Sequence, residues 1–345
     1  LPNNQLPKHG SLFKNEKMAK TYLKILKDAE KYSSNREKQI EHARKIWKIG
    51  FVATEINKFC KNNYFLDTTM EKHNGLLETE DIENWSASEE NPISYDYMNY
   101  TVCKTDFWGQ GPCFLQQLAI LKNFDLENYN ATSPEFVHLI VEATKLAFAD
   151  REAFYGDPNF IKIPKDILFS VEYNQKRSSI ISDKASMEVI PGNIEGFGGP
   201  VIVREKGKTD ESFSKFDIGE PTIAKFDETK TTPLGTTSGD TTHFDIIDKW
   251  GNMVAATPSG GWLQSSPIIP ELGFCLSNRA QMFWLDKNSP ASLAPGKRPR
   301  TTLSPSLALK DGEPYMVFGT PGGDQQDQWA LHLFLRHVHF NLNLQ

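Results

Sequence analysis

The stretch Gly239–Trp262, GDTTHFDIIDKWGNMVAATPSGGW, constrains the chain most. Two adjacent threonines, Thr241 and Thr242, follow Asp240. Beyond them Phe244, Ile246 and Asp248 alternate with His243, Asp245 and Ile247, which is the period of a strand. Asp248-Lys249-Trp250-Gly251-Asn252 carries turn chemistry, and Met253 to Thr257 reads as the return strand. Thr241 therefore heads a hairpin, directly behind a long polar segment. A threonine hydroxyl is a weak nucleophile at neutral pH unless a base stands beside it. Cutting the Asp240–Thr241 bond would create that base, the α-amine of Thr241. The reference pKa of such an amine, about 7.7–8.0, leaves it partly unprotonated near neutrality. The plainer alternative for Thr241 is a strand-opening residue that caps a turn.

The polar segment runs from Ser182 to Asp240 and is dominated by Gly, Pro, Ser, Thr, Lys, Asp and Glu. A loop of that length inside a compact domain calls for a functional or disorder explanation. Exposed polar loops tolerate nicking, so the segment reads as leading to a cleavage site. An inter-domain linker is the alternative.

Ahead of it the chain reads as helical. Met18, Tyr22, Leu23, Ile25 and Leu26 form one apolar stripe. A second helix is expected over Glu37–Asn57, with Ile40, Ala43, Ile46, Trp47 and Val52 inward. Thr79 is a candidate N-cap for a short acidic helix. Ile93 to Lys104 reads as a strand. Gly109-Gln110-Gly111-Pro112 opens an apolar helix through Leu121; it lacks the spacing of a dinucleotide fingerprint, and Pro112 suits the first helical turn. Ser133 and Pro134 begin the best-defined helix, whose buried stripe includes Phe136, Leu139, Ile140, Ala143, Leu146, Ala147 and Phe154. Near its end Asp150 and Arg151 read as a structural hydrogen-bonded pair, with an acid–cation catalytic pair as the alternative. Late in the chain a hairpin is expected from Leu303–Leu309 and Tyr315–Phe318 about a turn at Asp311-Gly312, then a helix from Gln325 to Phe340.

Composition narrows the function classes. With 345 residues the chain can bury a sizeable core. A hydrophobic content of 39% and a charged content of 24% are globular values. The net charge is −6 and no basic run of the phosphate-tracking kind occurs, which argues against nucleic acid as a partner. No apolar run of about 18 residues is present, so no membrane span is expected. The opening residues carry no signal peptide, but they read as the start of a fragment, so the compartment stays open, with the cytoplasm slightly favoured. Cys60, Cys103, Cys113 and Cys275 form no C-x-x-C pair and read as buried free thiols. Sequons stand at Asn84, Asn99 and Asn130. No metal or organic cofactor is called for.

GDTTHF and DKWGN, followed by PGKRPRTTLSPS and FGTPGG, resemble the γ-glutamyltransferase family of N-terminal nucleophile hydrolases; AFADREAFYGDP and Gln110-Gly111-Pro112 are similar to family segments too. The four separated motifs keep the family's order and compatible spacing. The resemblance implies an α/β fold, a four-layer αββα sandwich, here incomplete. It makes residues 1–240 most of a heavy-subunit region ending in the polar loop 182–240, and 241–345 the start of a light subunit. It implies autocleavage between Asp240 and Thr241, with Thr241 then the catalytic nucleophile. Ser259 falls at a family threonine that orients the nucleophile, and Gly322 and Gly323 at the oxyanion-binding backbone. Thr301 and Thr302 match a serine pair that binds the substrate carboxylate.

Two departures stand out. Gly261 replaces an asparagine that contacts substrate. In the run Ser277–Trp284 the family's acid, which holds the substrate α-amino group, is absent, and Arg279 stands nearby as a candidate substrate-binding cation. The implied partners are a small-molecule amide or γ-glutamyl substrate such as glutathione, a water or amine acceptor, and the two chains of one precursor. An acylase for a different carboxylate-bearing amide and a non-catalytic fragment are the rival readings. The family has an N-terminal arginine for the substrate carboxylate with no counterpart here, and family members continue past Gln345, so further parts of the chain are expected at both ends and this segment alone is expected to be marginally stable.

Overall fold

The computed structural model describes residues 8–66, 69–201, 241–261 and 266–344. In chain order they form α1 (Glu16–Tyr32), α2 (Arg36–Ile49), α3 (Phe51–Asn62), β1 (Tyr64–Leu66), β2 (Lys72–Asn74) and α4 (Thr79–Asn84). Then come β3 (Ile93–Tyr97), β4 (Tyr100–Lys104), α5 (Gly111–Leu121), α6 (Pro134–Phe154), α7 (Lys165–Leu168) and α8 (Val171–Ser178). β5 (Phe244–Ile247), β6 (Met253–Ala256), β7 (Ile268–Ile269), β8 (Phe274–Cys275), β9 (Ser306–Lys310), β10 (Glu313–Phe318) and α9 (Gln325–Phe340) complete the chain. Contacts divide it into two compact units, one of residues 1–89 with 263–276, the other of 90–262 with 277–345.

The first unit is a set of short helices around a small core of Ile25, Ile46, Val52, Ile56, Cys60, Ile269 and Leu272. Asn15 and Asn35 cap α1 and α2 by accepting from Met18 and Lys38 N–H groups, both at 3.0 Å. The buried face of α1 is Thr21, Ile25 and Ala29 rather than the expected stripe, and Tyr22, Leu23 and Leu26 are about half exposed. A polar side chain defines this face: Thr21 Oγ1 donates to the Leu272 carbonyl at 3.0 Å, which no hydrophobic pattern can signal. The expected 37–57 helix is two helices broken at Gly50, with Ile40 exposed. Glu78, not Thr79, caps α4, in a reciprocal box with Asp81.

The second unit carries the main core. Its four-stranded antiparallel sheet has the order β10-β9-β4-β3. The expected single strand over 93–104 is in fact the β3–β4 hairpin, turning at Met98 with φ +55°. Strand burial alternates with period two. Tyr100, Val102, Ala308, Met316 and Phe318 are buried, and Phe114 of α5 and Phe334 of α9 pack on Phe318 at 5.8 and 5.7 Å. α5 is buried along its whole length, with α6, α8 and α9 packed about it. The hairpin β5–β6 packs against β9 and β10, and its Ala255 shares a cavity with Cys103 and Leu307, on the sheet face away from the helices. Helices, sheet and hairpin thus form three successive layers. The outer face of the hairpin, Phe244, Ile246 and Val254, is about half exposed.

α6 begins as expected, with Ser133 Oγ accepting from Phe136 N–H at 3.2 Å and Pro134 in the first turn. The β9–β10 hairpin turns at Asp311 and Gly312, and α9 spans Gln325–Phe340. All four cysteines are free, but only Cys60 and Cys113 are buried. Residues 182–201 contain no helix or strand, and the rest of the polar loop lies outside the described residues.

Candidate active site

Thr241 is placed by the hairpin. The Asp248 carboxylate accepts from the Trp250 and Asn252 N–H groups, each at 2.9 Å, and fixes the turn. β5 and β6 pair in register from Ile247↔Met253 to Phe244↔Ala256. At the open end Thr242 N–H donates to the Pro258 carbonyl at 3.2 Å, which brings Thr241 opposite Ser259. Their hydroxyl oxygens are 3.0 Å apart. Asp240, on the other side of the expected scissile bond, lies outside the described residues.

Ser259 Oγ also accepts from Arg279 Nη2 at 2.6 Å and from Gly261 N–H at 3.1 Å. Arg279 is 9% exposed and starts a single 3-10 turn. Its own N–H donates to Ser277 Oγ at 3.2 Å, and Ser277 Oγ in turn donates to the Gly260 carbonyl at 3.0 Å. Asn278 N–H reaches the same carbonyl at 3.1 Å. A glycine suits position 261 locally: its φ is +95°, and a Cβ there would run into Asn278 Oδ1. The structure thus gathers Thr241, Ser259 and Arg279 into one hydrogen-bonded chain.

Gly322 and Gly323 stand at the start of α9. The Gly322 carbonyl accepts from the Gln326 side chain, and the Gly323 carbonyl from Gln326 N–H at 3.1 Å and Gln110 Nε2 at 3.5 Å. With the carbonyls tied down, the two N–H groups have no acceptor among the described residues. A buried polar network supports this turn. Gln110 Oε1 accepts from Arg151 Nη1 at 2.6 Å, and Arg151 forks onto Asp324 with bonds of 2.5 and 3.2 Å. Arg151 and Arg300 both hold Glu152 at 2.8 Å. Burial pushes the Glu152 carboxyl up, but Arg300 and Arg151 outweigh it and hold it down at about 2. Below, the Lys104–Asp327 ion pair at 3.0 Å is fully buried, and Ser304 links Asp327 to Gln326.

Asp150 and Arg151 do not form the expected pair with each other. Successive helical residues point about 100° apart. Asp150 therefore bonds Arg177 at 3.1 Å, Tyr173 at 2.9 Å and Gly192 N–H at 2.6 Å, while Arg151 faces Asp324. Thr301 and Thr302 are buried. Thr301 N–H donates to the Trp108 carbonyl at 3.0 Å, and Thr301 Oγ1 has no partner among the described residues. The basic run before them is consumed internally: Arg298 pairs with Asp157 and Glu90, and Lys297 donates to the Pro290 carbonyl at 2.8 Å. Sequence reasoning missed the supporting roles of Gln110, Asp324 and Gln326, although all three adjoin motifs it had found. Among the described residues no cluster of potential ligands could hold a metal ion, and no helix is long and apolar enough to cross a membrane.

The Gamma-glutamyltranspeptidase family profile matches residues 1–345. The glutathione hydrolase proenzyme of Bacillus subtilis (strain 168) is 29% identical over 290 residues, covering 84% of this chain and 45% of that protein. The acylase ACY 1 proenzyme of Pseudomonas sp. (strain SE83) is 28% identical over 278 residues, covering 80% and 43%. The chain thus spans about half the length of these curated relatives. The solved structure of LmbA2991T421A superposes with a TM-score of 0.82 at 45% identity, covering all of this chain and 55% of that one. The fold is α/β, of the N-terminal nucleophile hydrolase type, and the chain belongs to the γ-glutamyltranspeptidase family.

Proposed function

We propose that this chain is part of a self-processing N-terminal threonine amidase and acyltransferase that acts on γ-glutamyl compounds such as glutathione. The observation that carries the reading is the Thr241 hydroxyl, at the head of its hairpin and 3.0 Å from Ser259 Oγ. In maturation Thr241 Oγ1 attacks the Asp240 carbonyl carbon. The Asp240–Thr241 C–N bond breaks, the hydroxyl proton passes to the leaving nitrogen to give the free amine, and an ester joins Asp240 to Thr241 Oγ1. Water hydrolyses that ester, leaving a carboxylate on Asp240 and restoring the hydroxyl. Residues 1–240 and 241–345 would then belong to the heavy and light chains of one precursor.

In turnover the new α-amine takes the hydroxyl proton as Thr241 Oγ1 adds to a substrate amide carbonyl. The N–H groups of Gly322 and Gly323 are suited to receive the oxyanion. The amine leaving group departs with a proton, and water or an acceptor amine resolves the acyl-enzyme. Thr301 and Thr302 are the candidates for the substrate carboxylate, with the buried Thr301 hydroxyl as support.

One observation favours a second reading, an acylase for another carboxylate-bearing amide. The run Ser277–Trp284 lacks the acid that the family uses for the α-amino group of a glutamyl substrate, and a cation, Arg279, stands nearby. Acyl groups that lack the α-amine are therefore expected to turn over faster than γ-glutamyl amides, and the reverse order would exclude the acylase. The amidase reading itself is tested by mass spectrometry of the purified full-length protein. Wild type should yield a chain starting at Thr241, and Thr241→Ala should remain a single chain. A folded wild-type protein that stays intact on prolonged incubation overturns it.

A further inference from the structure

We propose that His243 is a positioning residue that sets the gap between the nucleophile and the turn of Gly322 and Gly323; the role rests on the proposed threonine mechanism. His243 follows Thr241 by two residues, and between them the Thr242 N–H bond to the Pro258 carbonyl continues the hairpin ladder. Alternation along an extended chain puts Thr241 and His243 on one face. The His243 side chain is 7% exposed. Its Nδ1 shares a hydrogen bond of 2.7 Å with Thr257 Oγ1, just past β6. Asp245 Oδ1 lies 2.9 Å from Nε2, off the line that a hydrogen bond needs.

The ring also meets Gly319, the first residue after β10. A Cβ on Gly319 would lie 2.3 Å from His243 Cε1 and 2.8 Å from both ring nitrogens. Carbon atoms pack at about 3.5–4.0 Å, so the imidazole fills the place of a side chain at 319. Gly319 has no positive φ, so its backbone does not call for a glycine; the ring does. Three residues on, Gly322 has φ +123°, and Pro321, whose own ring fixes φ, lies between them. The far end of this turn is tied to Gln326 and Gln110. His243 braces the near end. The nucleophile hairpin and the oxyanion-binding turn therefore meet through one imidazole, close in sequence to Thr241 on one side and to Gly322 on the other. Acyl transfer needs both in register: the attacking oxygen must sit about 3–3.5 Å from the carbonyl carbon, and a misplacement of about 1 Å can cost about 100-fold. A methyl group at 319 would be too close to the ring by more than about 1 Å, and the hairpin or the turn must yield by that order.

The test is a double-mutant cycle on the full-length protein, with Gly319→Ala, His243→Ala and the two combined. Self-cleavage is followed by mass spectrometry, and kcat and KM are measured with γ-glutamyl-p-nitroanilide and glutaryl-p-nitroanilide. Gly319→Ala should lower kcat by about 100-fold on whichever anilide the wild type turns over. KM should be unchanged, since Thr301 and Thr302 are not touched. In the His243→Ala background the same methyl group should cost less than about threefold, because the ring it collides with is gone. His243→Asn keeps a polar partner for Thr257 but no ring against Gly319. It should unfold near the wild-type urea concentration, with Thr241→Ala in both proteins, and still lose about tenfold or more in kcat. If His243→Ala does not fold, the Asn variant takes its place in the cycle. If Gly319→Ala does not split, splitting restored in the combined variant carries the same conclusion, and splitting still absent there overturns it. Losses that multiply in the combined variant, or a His243→Asn variant with wild-type kcat, also overturn the role. A wild type that neither splits nor turns over either anilide overturns instead the mechanism on which the role rests.

Discussion

Asp327→Ala tests how the turn that presents Gly322 and Gly323 is held. Asp327 and Lys104 are both fully buried, 3.0 Å apart, and Lys104 Nζ also donates to Ser306 Oγ at 2.7 Å and to the Ser304 carbonyl at 3.1 Å. Those two neutral acceptors cannot compensate a full positive charge. Removing one partner of a buried pair costs about 3–5 kcal/mol, because the other charge is stranded. Ser304 Oγ loses its acceptor in the same step, a buried group whose desolvation is worth about 1–3 kcal/mol but which is not additive with the first. Against a typical total stability of about 5–15 kcal/mol, the variant should lose a large fraction of its margin. The combined variant Lys104→Met with Asp327→Leu removes both charges and should recover most of the loss, since apolar replacement of a buried pair is often neutral or better. The assay is urea unfolding followed by circular dichroism, with Thr241→Ala in every protein so that chain cleavage does not differ among them. A loss below about 1 kcal/mol in Asp327→Ala would refute the reasoning. So would a combined variant less stable than either single one.

Two further outcomes are expected. Glu152, held at about 2 against an ordinary 4.5, contributes stability that is fully present above pH 4.5 and is lost as pH falls towards 2. Glu152→Gln should flatten acid unfolding in that window, and an unchanged acid limb would show that other carboxylates govern it. Gly261→Ala should cost about 1–3 kcal/mol, from the positive φ, and should slow self-cleavage by displacing Ser259 and Arg279. Wild-type melting and cleavage rates in that variant would mean that the turn relaxes without strain.

The fold was legible wherever one signal was local and strong. The cap at Ser133 with Pro134, the Asp248 turn and the Asp311-Gly312 turn each fix a few dihedrals by themselves, and the structure follows them. The first unit was less legible because its helices bury little. The inward face of α1 is set by a threonine bonded to Leu272, far away in sequence, and the expected long helix fails at one glycine. The 93–104 strand was misread because Met98 takes a left-handed conformation without a glycine to mark it.

The candidate site divides along the same line. Ser259 was reached through the family resemblance alone, and the in-register hairpin is what sets it opposite Thr241. Gly322 and Gly323 could be found as a glycine pair before a helix. The Arg279–Ser259 bond could not, because it depends on a 3-10 turn whose position is set by Ser277 and Asn278 bonding to the Gly260 carbonyl. Read by charge alone, Arg279 is a cation waiting for a substrate carboxylate. In the fold, one of its N–H groups is already committed to the hydroxyl beside the nucleophile. The same residue can then link the two departures from the family pattern. Loss of the acid removes the counter-charge for an α-amine, and a glycine at 261 frees the space that Asn278 fills. Gly261 also gives Ser259 Oγ a backbone N–H donor at 3.1 Å.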